Sequence, residues 1–111
     1  MTKDLSLRLM DFMSHHRGRE NAIPRDRILA HLQPFAPNLD DREFRELYVR
    51  QPVAACAEGL FIPIRPEEVK EFYEYLLRKG MSKERAWARV KIILTYFPDL
   101  WWGEENQMEL F

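Results

Sequence analysis

Near the start of the chain, Leu5, Leu9, Phe12 and Met13 recur at helical spacing with polar residues between them. This period predicts a helix over residues 4–15 with one apolar face, Asp4 complementing its first turn and Gly18 marking its stop. The period returns in Ile28, Leu29 and Leu32, predicting a second helix over residues 24–33 that opens at Pro24 and ends at Pro34. The stretch "QPFAPN" then reads as a turn. Asp40, with Glu43 three positions on, is a capping-box pattern. It opens a third helix over residues 41–51 that should bury Phe44, Leu47 and Tyr48.

The texture then changes. "PVAACA" and "LFIPI" are short apolar runs separated by Glu58-Gly59, which predicts a hairpin over residues 53–64 with its turn at that dipeptide. Pro63 suggests that the second strand lies at an edge. Helical spacing resumes from Pro66 in Val69, Phe72, Tyr73 and Leu76, and Gly80 ends it. Ser82 caps a last helix, residues 82–96, with Ala86, Val90, Ile93 and Phe97 facing inward. The expected class is α+β and mostly α: three helices, a two-stranded hairpin and two additional C-terminal helices.

Composition narrows the setting. With 111 residues, 46% apolar and 32% charged, the chain suits one globular domain with a modest core. We expect that domain, with its C-terminal helices, over residues 1–98, and a tail over 99–111 that is anchored first and then free. No apolar run is long enough to span a membrane, and "MTKDLSLRLMDF" lacks the apolar stretch of a signal peptide. Cys56 is the single cysteine, so an internal disulfide is impossible and a reducing, cytoplasmic setting is expected. The formal net charge is −1, so any affinity for nucleic acid must come from local patches.

Three helices followed by a two-stranded wing is the winged-helix arrangement, with residues 24–33 and 41–51 as its helix-turn-helix. The sequence also resembles a winged-helix family of phages and prophages. The similar features are "GRENAI", a "DREFREL"-type third helix, and a wing followed by a helix that starts Pro-Glu-Glu. The resemblance covers roughly residues 5–80. The inter-helix turn "QPFAPNL" departs from it, being longer and richer in proline.

In this fold the third helix enters the major groove of double-stranded DNA, where arginine pairs with guanine edges or phosphates. Arg42, Arg45 and Arg50 are the donors available there, and Arg25 and Arg27 can add backbone contacts from the preceding helix. Against this, Asp40, Asp41, Glu43 and Glu46 lie among those arginines, and acids near phosphates oppose the counterion-release term. A solvated helix touching no DNA is the competing reading. A clearer basic stretch, "RKGMSKERAWARVK", carries six Lys or Arg against one Glu. Arg78, Arg85 and Arg89 would share a face if the last two helices stack, with Lys79 and Lys83 nearby. Its bland alternative is the solvated side of an amphipathic helix.

The wing carries no Lys or Arg before Arg65, and its acidic tip suits a structural or protein contact. His15, His16 and His31 lack the spacing of a zinc site, and Cys56 reads as a small core residue. No phosphate loop, nucleophile elbow or apolar carboxylate pair is present, so neither enzyme activity, a small-molecule substrate nor a cofactor is expected.

The chain closes on "QMELF". This resembles the short peptide with which many bacterial replication and repair proteins grip the DNA polymerase sliding clamp. Gln107, Leu110 and Phe111 match that pattern, Met108 stands in for the usual leucine, and Glu109 keeps an acid where aspartate is common. Burying Leu110 and Phe111 in a partner would release roughly 1.5–3 kcal/mol each, consistent with a weak contact after ordering costs. The expected function is therefore a DNA-binding adaptor joined to the replication machinery through the clamp. The rival is a winged-helix protein-interaction module that binds no DNA and packs its last residues on its own core.

Overall fold

The structure, a computed structural model, describes residues 2–103. Helix α1 spans Thr2–Ser14, α2 Arg25–Leu32 and α3 Asp41–Val49. Strands β1, Ala54–Cys56, and β2, Gly59–Phe61, form an antiparallel pair, followed by α4, Pro66–Arg78, and α5, Lys83–Tyr96. The described residues are thus mostly helical, with one small antiparallel sheet.

Local chemistry explains most boundaries. The Asp40 side chain accepts the Glu43 N–H at 2.8 Å, and Glu43 reaches back to the Asp40 N–H, completing the expected capping box. Ser82 accepts the Arg85 N–H at the start of α5. Pro66 occupies the first turn of α4. Glu68, only 3% exposed, accepts the Ile64 N–H at 3.1 Å and the Arg65 Nε–H at 2.8 Å, fastening the entry to that helix.

The hairpin differs from the expectation in two ways. Its register pairs Cys56 with Gly59, so the turn is Ala57-Glu58, one position earlier, and Gly59 already belongs to β2. The second is that β2, an edge of the two-stranded sheet, does not leave its outer side open. Beyond β1, it is flanked by Ile23, whose N–H donates to the Leu60 carbonyl at 2.8 Å while the Leu60 N–H donates to the Ile23 carbonyl at 2.9 Å. Pro63 is buried just past the strand end, where its missing donor breaks no ladder.

Strand alternation then divides the core. Val53, Leu60 and Ile62 pack with α1, α2 and α3 around Leu9, Met13, Ile28, Phe44 and Leu47. Ala54 and Phe61 face the other way, onto Phe72, Leu76, Trp87, Val90 and Ile93 of α4 and α5. The hairpin is a layer between two helical groups rather than a projecting wing; only Ala57 and Glu58 at its tip are exposed. Phe97, just after α5, packs against both clusters and joins them. A short 3₁₀ turn, Pro98–Leu100, leads to Trp101 and Trp102, which pack edge-on or tilted against Tyr73 and Trp87.

Candidate nucleic-acid interface

Helix α3 has two flanks of opposite character. Glu43, Glu46, Leu47 and Arg50 line one side, facing a groove against the start of α1. Arg45 and Tyr48, three residues apart and so neighbours on the helix, occupy the other side, where α5 approaches. Arg89 of α5 is half-buried there, within Coulombic range of Tyr48, Arg45 and Arg85. Burial pulls the Arg89 guanidinium pKa below its usual value, the Tyr48 hydroxyl opposes that, and the charges of Arg45 and Arg85 add to it. Among the described residues, none of these three arginines has an ion-pair partner.

The remaining candidates are placed differently. Arg25 is held by Asp41 at 2.8 Å and lies 5.4 Å over the Phe44 ring, so it braces α2 against α3. Arg42 pairs with Glu46 at 3.5 Å on the exposed face of α3. Arg50 caps the end of α3 beside the acidic groove. Arg27 and Lys83 are exposed and without ion pairs among the described residues. Arg78 does not extend the α5 stripe; it lines a small cavity with Arg19, Glu68 and Glu71.

The hairpin tip is tied down. Arg19 holds Glu71 of α4 at 2.7 Å and Glu58 at 3.4 Å, linking the loop before α2 to the tip and to α4. Cys56 is half-buried in β1, and its thiol donates to the Gly59 carbonyl at 3.4 Å. Burial, then the neighbouring Glu58, pushes that thiol pKa up. His31 stacks on Phe12 with ring centres 4.2 Å apart, and His15 and His16 turn Nδ1 toward backbone carbonyls of α1. Among the described residues, no group of three His, Cys, Asp or Glu is placed to hold a metal, and no helix is long and apolar enough to cross a membrane.

No known family, curated protein or solved structure matches this chain. The interface therefore stands on its geometry. Gln107, Met108, Leu110 and Phe111 lie outside the described residues.

The helical period assigns Tyr48 to the core. The structure places it half-buried at the core's edge instead, on the flank of α3 whose charges act on Arg89. Its signal in the sequence is an amphipathic ring at the margin of an apolar stripe, next to an arginine on the same flank.

Proposed function

We propose that this chain is a phage- or prophage-type winged-helix adaptor, holding double-stranded DNA on the α3–α5 arginine flank and docking its last five residues on a bacterial sliding clamp. The observation that carries the DNA half is that half-buried Arg89 lies near enough to Arg45 and Arg85 to feel both charges, with none of the three in an ion pair among the described residues. Like charges held together with one of them partly desolvated are costly, and a phosphate placed among them relieves that cost. The capping box bears on the same point. Asp40 caps the start of α3, and Asp41 and Glu43 lie in its first turn, so that terminus disfavours phosphate and the arginine flank is left to bind it.

Order along the chain fits the winged-helix reading: helix, a short paired segment at Ile23, helix, helix, hairpin. In this molecule α5 would take the phosphate-contacting part that a basic wing plays elsewhere, since the hairpin tip is Glu58 held by Arg19. The clamp half rests on the resemblance of "QMELF", with Trp101 and Trp102 fixing the chain to α4 and α5 just before that segment. A short peptide with two apolar anchors is a common way to reach a preformed pocket.

A retention experiment tests both halves. Labelled duplex DNA is passed over immobilised bacterial clamp with the full chain, with the chain ending at residue 103, and with Arg85→Glu plus Arg89→Glu. The adaptor reading requires DNA to be retained by the full chain and lost in both variants. Retention that survives removal of the last eight residues rejects the clamp half, and retention that survives the charge reversal rejects the DNA half.

A further inference from the structure

On the opposite flank of α3 lies a concavity of about 520 Å³, walled by Leu5 of α1, the turn residues 35–39 and Leu47 of α3. That volume falls within the range that takes small ligands or side-chain anchors. Its floor is apolar, with Leu5 and Leu39 half-buried, and Phe35 stands at its margin 45% exposed. Its lining also carries three carboxylates, Asp4, Glu43 and Glu46, against one cation, Arg50, a formal −3 + 1 = −2.

We propose that this groove docks a short segment of a partner protein in which a leucine or phenylalanine anchor is flanked by lysine or arginine. The apolar floor takes the anchor, and the acidic rim selects the flanking charge. Asp4 and Glu46 are paired only with exposed arginines of this chain, Arg8 at 3.1 Å and Arg42 at 3.5 Å. Such exposed pairs are weak and can be exchanged for an incoming cation. Phe35 already accepts a guanidinium, with Arg8 3.6 Å from its ring centre, so its free face suits another cation. The chain's own last residues are the wrong occupant, since residues 103–111 contain three glutamates and no lysine or arginine. The proline-rich turn that departs from the winged-helix pattern thereby acquires a use: it builds one wall of the groove.

The test is a titration of the isotope-labelled full chain with two amidated peptides, acetyl-Lys-Leu-Phe-Lys-Lys and acetyl-Glu-Leu-Phe-Glu-Glu, followed by backbone amide shifts. The basic peptide should move resonances of residues 4–6, 35–39 and 43–50, and the acidic one should leave them in place. E46K and F35A should each weaken binding about fivefold, with circular dichroism showing an intact fold. E46K keeps the test open if F35A fails to fold. No shift up to millimolar peptide, equal binding of both peptides, or shifts confined to the α5 flank each overturns the proposal. So does concentration-dependent self-association that moves the same residues, because a second copy would then be the occupant.

Discussion

Gly59 lies against the carbonyl group of Ile23, so close that a β-carbon added to the glycine would overlap that carbonyl. The close approach follows from the paired hydrogen bonds that bring residue 23 alongside Leu60. Gly59 also has φ 140°, a conformation that other residues avoid. Gly59→Ala should therefore lower stability by about 2–4 kcal/mol, combining strain with a backbone clash. Gly80 is the control: its φ is 92° but nothing lies near the added carbon, so Gly80→Ala should cost only about 1 kcal/mol. Urea denaturation midpoints of the two variants decide this, and equal losses would contradict the close approach.

That pair also shows how far the sequence can be read. The capping box at Asp40 and Glu43, the Ser82 cap and the Pro66 start are local, and the chain announces each of them within four residues. The glycine at position 59 is legible only as a turn former. Its role is a close approach by a segment more than thirty residues away, which no local pattern encodes. The same holds for the arginine flank: Arg85 and Arg89 are visible as a basic stripe, but their meeting with Arg45 depends on how α5 docks across the hairpin layer, with Phe97 joining the two cores. Spacing alone groups Arg78 with them, and the structure places it on the lining of a small cavity that Arg19 and Glu71 share.

Glu68 should prove more important to stability than its charge suggests. Its two oxygens accept from the Ile64 backbone and the Arg65 side chain while the residue is almost fully buried. Glu68→Ala leaves that N–H without its acceptor and should cost about 1–3 kcal/mol. Glu68→Gln, which keeps one acceptor, should cost less. Thermal unfolding of the two variants separates them.

The thiol of Cys56 should be slow to react. Burial and Glu58 raise its pKa, so the thiolate is scarce near neutral pH. Alkylation by iodoacetamide should be well below the rate for a free thiol at neutral pH and should climb only in the alkaline range above the ordinary thiol pKa. The linked stability has the same sign: it is fully present below that ordinary value and declines as pH rises through the raised one. Rapid labelling of the folded protein at neutral pH would contradict this.

Function and stability should oppose each other at Arg89. Its side chain is half-buried, so its charge is partly desolvated, and the charges of Arg45 and Arg85 oppose it. Arg89→Met keeps the packing and removes the charge, so the melting temperature should hold or rise while affinity for duplex DNA falls. A large drop in melting temperature would mean that Arg89 is a structural cation instead.

The salt dependence of duplex DNA binding, measured by fluorescence anisotropy for the unaltered chain and for Arg45→Ala plus Arg89→Met, tests the arginine flank most directly. Affinity should fall linearly on logarithmic axes as salt rises, and the doubly substituted chain should show a slope shallower by roughly two, one for each phosphate that the flank no longer neutralises. Binding that ignores salt, or a slope unchanged by removing both arginines, would contradict the account.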